Sequence, residues 1–410
     1  MLKVAMLAPE FLNVWGGVGS YITELVMNLP KSIEVHVLTP YRESFGKGDK
    51  NVTDHVELSD NIRVHYVTLA KDTFFYNARF QYAVYNSVPS LIKREGIDIL
   101  HSHTAHMPDV LLRLFNSIEV PVVTTIHTTI KSQYAATRSS GIGFSGMSQS
   151  ERMTTLLYPV LRITEELYLR KGEVYVTPSN YMKKWLEREY PYLHGKIKVV
   201  YNAVNTEFWR KSDKGYDLKS ETGFENIVLY VGRLLALKGV YDLVKTIPRI
   251  LRDNKETIFI FRGTGERRQI ELMLRKLGIP EKNYMFVGYL PRHELIKLYS
   301  TSSVLTLPSY GENLPMTLLE AMSCSLPVIA SNVGGIPEVI QHMVNGILID
   351  PGDLNALSNS IITLLQDKNF REKLARNARK TIEEGFSWNM VIPQIVQTYQ
   401  ESLENRGVWT

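Results

Sequence analysis

The stretch Ser309–Cys324, SYGENLPMTLLEAMSC, carries two carboxylates, Glu312 and Glu320, with an apolar run between them. Pro315 suits the first turn of a helix, which leaves Glu312, Asn313 and Leu314 in the loop before it. The helix then runs through Glu320 to about Ser323. That puts Glu320 among Leu318, Leu319, Ala321 and Met322. A carboxylate buried there without a partner is costly, so it needs a donor. A ligand ribose offers two hydroxyls. An internal ion pair is the alternative, and the two acids alone do not decide between them.

Two cations stand earlier in VLYVGRLLALKGV, where a strand ends in Gly232 and Arg233, and Lys238 and Gly239 open the next helix. Arg233 presents a planar fork to phosphate oxygens and Lys238 a compact ammonium. Just past a strand's carboxyl end, the two together can neutralise a diphosphate leaving group without metal. Each taken singly is also an ordinary solvated charge. Near the N-terminus, VWGGVGSY places Gly16 and Gly17 before a helix that starts near Val18. Adjacent glycines admit an anion to the helix N–H groups, or else serve a turn that needs positive φ. The G-x-G-x-x-G fingerprint is absent, since Ile22 stands where its third glycine belongs, which disfavours nicotinamide binding. His101, His103 and His106 in DILHSHTAHMPDV lack the Cys or Glu partners of a familiar zinc pattern, so a structural role suits them better. His127 follows the strand Val122–Ile126 directly and is placed for ligand contact.

These residues need elements to hold them, and the chain alternates short apolar runs with amphipathic segments. Strands are predicted at Lys3–Ala8, Val35–Thr39, Ile97–His101 and Val122–Ile126 in the first half, and at Ile227–Val231, Ile258–Arg262, Val304–Leu307 and Pro327–Ala330 in the second. Near-continuous apolar strands between helices imply parallel sheets covered on both faces. Two such series in 410 residues predict two doubly wound domains, 1–205 and 206–387, with the break in the polar segment Asn202–Asn226. A final amphipathic helix from Trp388, within 388–410, is placed to cross back onto the first domain. Ligands bind such sheets at the carboxyl ends of their strands, which predicts a site in a cleft with the two domains facing each other.

Composition narrows the class further. A net charge of +5 is small for this length and excludes a strongly cationic nucleic-acid binder, while leaving room for a local basic patch. A single cysteine, Cys324, excludes a disulfide framework and favours a reducing compartment. The N-terminal apolar run is interrupted by Pro9 and Glu10, and no window approaches 18 uncharged apolar residues. A cytoplasmic protein is expected, with peripheral membrane contact at the inner face left open.

Taken together, the segments resemble a retaining glycosyltransferase of the GT-B fold, in the group of glycogen synthases, sucrose synthases and phosphatidylinositol mannosyltransferases. LPSYGENLPMTLLEAMSCSLPVIASNVGGIPEVI carries that group's E-x7-E signature at Glu312 and Glu320; GRLLALKG resembles its phosphate-binding Arg and Lys, and GGVGSY its N-terminal glycine loop. The resemblance implies transfer of a hexose from a nucleotide-sugar donor, with uridine the expected base, to a sugar, glycan or lipid-linked acceptor. It implies that Arg233 and Lys238 bind the diphosphate with help from Gly16 and Gly17. Glu320 would hold the ribose, Glu312, Asn313 and Leu314 would lie at the donor sugar, and His127 would contact that sugar from the acceptor side. It implies retention of anomeric configuration and no obligate metal or other cofactor. Three departures stand out: Asn313 and Ser325 occupy positions where many relatives have Gly, and Thr128 follows His127 where relatives often have Asp. A nucleotide-sugar epimerase or phosphorylase on the same plan, and a non-catalytic nucleotide-sugar sensor, are the competing readings. An epimerase turns over donor without acceptor; a sensor survives loss of Glu312.

Overall fold

A computed structural model describes residues 1–12, 16–41, 58–70, 76–104, 107–116, 118–144, 147–213 and 223–406. His106 and part of the polar break segment lie outside the described residues. The described residues form two α/β units, each built on a parallel sheet.

The first unit comprises Met1–Ser132, Leu156–Ala203 and Trp388–Thr410. Its strands are β1 (Leu2–Leu7), β2 (Ile33–Tyr41), β3 (Ile62–Leu69), β4 (Ile99–His103), β5 (Val122–Thr125), β6 (Val174–Thr177) and β7 (Ile197–Val199). They lie in the order β3-β2-β1-β4-β5-β6-β7. Val4, Ala5, Met6 and Leu7 are all fully buried, as expected of a central strand covered on both faces. The C-terminal helix Trp388–Glu404 belongs to this unit. Trp388 Nε1 donates to Glu24 Oε2 at 2.9 Å, and the Tyr399 hydroxyl meets His101 Nδ1 at 2.7 Å.

The second unit comprises Gln133–Thr155 and Val204–Ser387. It contains β8 (Asn226–Val231), β9 (Thr257–Arg262), β10 (Tyr284–Val287), β11 (Val304–Leu307), β12 (Val328–Ser331) and β13 (Ile347–Ile349), ordered β10-β9-β8-β11-β12-β13. Its core packs Val228, Tyr230, Phe259 and Phe261 of the sheet against Leu243, Ile247 and Ile250 of the helix Val240–Asp253. The boundary differs from a single break after residue 205, because Gln133–Thr155 groups with the second unit. The reason is close packing: a Cβ built on Gly311 would lie 2.5 Å from the Ala136 Cβ. Nothing in the composition of Gln133–Thr155 marks that contact.

In the second sheet the strand order reverses between β8 and β11, which pair in parallel through Val228 with Val304 and Leu229 with Leu305. The crevice at such a switch point is where doubly wound sheets bind ligands. Arg233 follows the carboxyl end of β8, and the Ser309–Leu314 loop follows that of β11. Among the described residues no helix is long and apolar enough to cross a membrane.

Candidate functional site

Past Gly232, the chain folds through the short turn Ala236–Lys238 into the helix Val240–Asp253. Gly239 joins them in the left-handed region, φ 67°. This turn and the loop after β11 are fastened together. Tyr310 N donates to Leu237 O at 2.9 Å, and the Tyr310 hydroxyl donates to Asp242 Oδ2 at 2.6 Å. On the other side, Gly335 N donates to Asn313 O at 2.7 Å. Gly334, φ 60°, lets that segment pass directly over the Glu312 carbonyl, where a Cβ would sit 1.8 Å from the oxygen. Leu314 is buried and anchors the end of the loop.

The result is a charged pair. Lys238 Nζ donates to Glu312 Oε1 at 2.6 Å, and Ser309 Oγ donates to the same oxygen at 2.9 Å. Arg233 is exposed, and among the described residues its guanidinium makes no ion pair or hydrogen bond. Beneath them the Tyr230 hydroxyl donates to Arg233 O at 2.8 Å, fixing the strand end. Burial holds that hydroxyl well above the usual tyrosine range; the nearby Glu312 charge adds to the shift and Arg233 opposes it. Tyr230 therefore stays a donor.

Glu320 lies inside the helix Met316–Ser323, whose N-cap is Pro315, one position earlier in register than a first-turn proline. The side chain is buried and accepts from the Tyr299 hydroxyl at 3.0 Å. Burial raises its pKa above the ordinary carboxylate value, against the lowering effects of the Tyr299 hydrogen bond and the charges of Arg292 and Arg262. Arg292 itself is pushed down to about 10 by burial, with Glu320 opposing, and its guanidinium lies 4.4 Å from the Phe208 ring centroid. The acid thus has an internal hydroxyl donor and two cations in electrostatic reach. Sequence reasoning missed Ser309, Tyr299 and Arg292. Ser309 was legible only as a neighbour of Glu312, and the other two stand in ordinary helix positions.

A sign follows for Glu320. A raised folded-state pKa contributes stability below the unfolded value, and that contribution is lost as pH rises through the folded one. Glu320→Gln is therefore expected to melt higher than the parent chain near pH 7. The difference should close as pH falls towards 4.5, which thermal melts across that window will read. A constant difference over the window would mean that the Glu320 charge is fully compensated.

In the first unit, Gly16 is the N-cap of the helix Gly17–Asn28 with φ −146° and ψ 174°. That is extended backbone open to any residue, so the glycine does not serve a positive-φ turn. What the missing side chain provides is room: a Cβ there would lie 3.1 Å from Glu10 Oε2. Among the described residues no side chain caps the helix; its first turn carries no acid, and Gly17 is exposed. Its first N–H groups therefore keep the polarity that favours an anion. His127 is buried beyond β5, with Nε2 3.1 Å from His103 Nδ1 and its ring edge-on to Tyr21 at 4.7 Å between centroids. His101 and His103 are fully buried and stacked, and burial lowers both, His101 to about 3. They are neutral supports behind His127. Among the described residues no group of three or more His, Cys, Asp or Glu is arranged to hold a metal ion.

Residues 218–381 match the model for "Glycosyl transferases group 1", and residues 15–208 the model for "Glycosyltransferase Family 4". Both matches are to glycosyltransferase families and together they span most of the chain, which is a glycosyltransferase. The group 1 match contains Arg233, Lys238, Glu312 and Glu320; the second contains Gly16, Gly17 and His127. This glycosyltransferase is 26% identical to the N-acetyl-alpha-D-glucosaminyl L-malate synthase of Bacillus anthracis, over 95% of each chain. Its fold resembles the sucrose-phosphate synthase of Thermosynechococcus elongatus, with a TM-score of 0.78, 22% identity, and coverage of 99% of this chain and 100% of that one. It also resembles Anabaena Alr3699/HepE, solved in complex with UDP-glucose, with a TM-score of 0.68, 17% identity, and coverage of 98% and 100%. The two parallel-sheet units are the Rossmann-like domains of the GT-B architecture.

Proposed function

We propose that this glycosyltransferase moves a hexosyl group from a nucleotide-sugar donor, with UDP-hexose the first candidate, to a hydroxyl of a sugar, glycan or lipid-linked acceptor, with retention of anomeric configuration. The observation that carries the reading is the Lys238–Glu312 pair at 2.6 Å beside the exposed Arg233, at the carboxyl ends of the two central strands of the second sheet. In this reading Arg233 and Lys238 hold the donor's diphosphate, Glu320 accepts from the ribose hydroxyls, and Glu312 with Asn313 and Leu314 borders the hexose. Gly16 and Gly17 N–H groups assist at phosphate, and His127 contacts the transferred sugar.

The chemistry asks little else of the protein. The bond from the anomeric carbon to the diphosphate oxygen breaks, and its electron pair leaves on that oxygen. The acceptor oxygen bonds to the same face of the anomeric carbon, and its proton passes to the departing phosphate. The transition state concentrates negative charge on the leaving oxygen, where fixed cations act most strongly. Two side-chain cations fill the role that a divalent ion would otherwise take, so the proposal includes no obligate metal.

The test is direct. Purified protein is incubated with UDP-, GDP- or ADP-glucose, with and without small sugar, glycan and lipid-linked acceptors, and products are followed by mass and NMR. Formation of a glycoside with the donor's anomeric configuration supports the reading. Conversion of donor to an epimer without acceptor, or an inverted product, would overturn it. So would binding without turnover across the acceptor panel.

A further inference from the structure

Arg262 is the last residue of β9, the strand next to β8, and stands at the same carboxyl edge as Arg233. It is half-buried, and its guanidinium lies 5.6 Å from the Tyr289 ring centroid. Among the described residues the only hydrogen bond from that guanidinium runs from Nη2 to Leu290 O, at a long 3.4 Å, and Nε is buried with no partner. An unsatisfied donor of this kind in a native fold asks for an explanation. A surface role does not supply one, because no carboxylate pairs with Arg262 among the described residues. Its charge nonetheless acts on the Glu320 carboxyl and on the Tyr299 hydroxyl.

The position completes the donor. With phosphates at Arg233 and Lys238 and the ribose on Glu320, one part of a nucleoside diphosphate remains without a protein partner, the base. Arg262 is a cation near Glu320 whose buried Nε finds no acceptor among the described residues. We propose that Arg262 reads the nucleobase, and selects donors whose base presents an exocyclic carbonyl, uracil or guanine, against adenine. This inference rests on the donor reading given under Proposed function.

The selectivity follows from hydrogen-bond types. A guanidinium offers donors only. Guanine answers with two adjacent acceptors, O6 and N7, and uracil with a carbonyl oxygen that has two lone pairs. Adenine sets an amino donor beside N7, so one donor of the fork would face another. The Tyr289 ring lies beside the guanidinium and favours its planar cation.

The experiment uses the full chain and measures dissociation constants for UDP, GDP and ADP by calorimetry, for the parent, Arg262→Met and Arg262→Gln, with melting curves to confirm folding. The parent is expected to bind UDP or GDP at least about tenfold more tightly than ADP. Arg262→Met should bring the ratio close to one by weakening only the carbonyl-bearing nucleotide. Arg262→Gln, whose amide offers the donor and acceptor that adenine matches, should favour ADP relative to Arg262→Met. Equal or tighter binding of ADP by the parent overturns the proposal, as does a ratio that Arg262→Met leaves unchanged. If the parent binds none of the three, the donor reading itself falls and this inference with it.

Discussion

Lys238→Ala is expected to lower kcat by about two to three orders of magnitude. The melting temperature should move by only about 2–4 °C. The two effects separate because they arise in different states. In the resting protein Lys238 is part of an incompletely buried ion pair with Glu312, whose side chain also accepts from Ser309. Such pairs contribute about 1 kcal/mol or less, since water competes for both charges. During transfer the ammonium faces a phosphate oxygen acquiring a full charge, and a fixed cation lowers that barrier far more. Arg233→Ala should behave alike, with an even smaller thermal effect, because no ion pair or hydrogen bond engages its guanidinium among the described residues. Single-turnover rates with saturating donor and acceptor check both variants. A normal chemical step in either would remove that residue from the leaving group. A kcat loss matched by a collapse in melting temperature would make its role structural.

Lys238→Ala/Glu312→Gln adds a second measurement. The 2.6 Å contact means that Glu312 holds the ammonium in place as much as it meets the sugar. Contacting residues couple, so the double variant should lose less than the sum of the two single losses. Simple additivity would imply that Lys238 and Glu312 act separately during turnover.

The architecture was legible because both sheets are parallel and covered on both faces. That requirement forces continuous apolar runs such as VLYV and VLTL, and β8 and β11 lie under those runs. Arg233, Lys238 and Glu312 were legible because polar residues immediately after such runs must sit at a sheet edge. Other parts left no local signal. The donor to Glu320 is Tyr299, on the helix Arg292–Thr301 before β11, and only tertiary packing brings the two together. The His101–Tyr399 contact joins residues 298 positions apart, a pairing that no periodicity encodes. The helix Lys368–Gly385 escaped notice because its buried face consists of Leu374, Ala378 and Ile382 in an otherwise charged sequence. At Gly16 residue type left an anion contact and a positive-φ turn both open, and the extended backbone removes the turn.

Gly239→Ala is expected to cost about 2–5 kcal/mol of stability, the sum of about 1–2 for a side chain in the left-handed region and about 1–3 for forced displacement of packed atoms. The second part comes from one contact. A Cβ on Gly239 would lie 1.8 Å from Pro308 O, and a main-chain carbonyl cannot swing aside as a side-chain tip can. Gly278 supplies the control, for its φ is 69° but among the described residues nothing lies within 4 Å of where its Cβ would be. Gly278→Ala should show the left-handed strain alone, about 1–2 kcal/mol. Chemical denaturation of both variants gives the two values on one scale. If they agree, the approach of Pro308 to Gly239 is not as close as described. If they differ as expected, activity should differ in the same sense. Lys238 directly precedes Gly239, and Pro308 directly precedes the loop that carries Glu312. Pushing these two backbones apart therefore stretches the Lys238–Glu312 contact, and Gly239→Ala should lose turnover even at temperatures where it is fully folded, while Gly278→Ala keeps it.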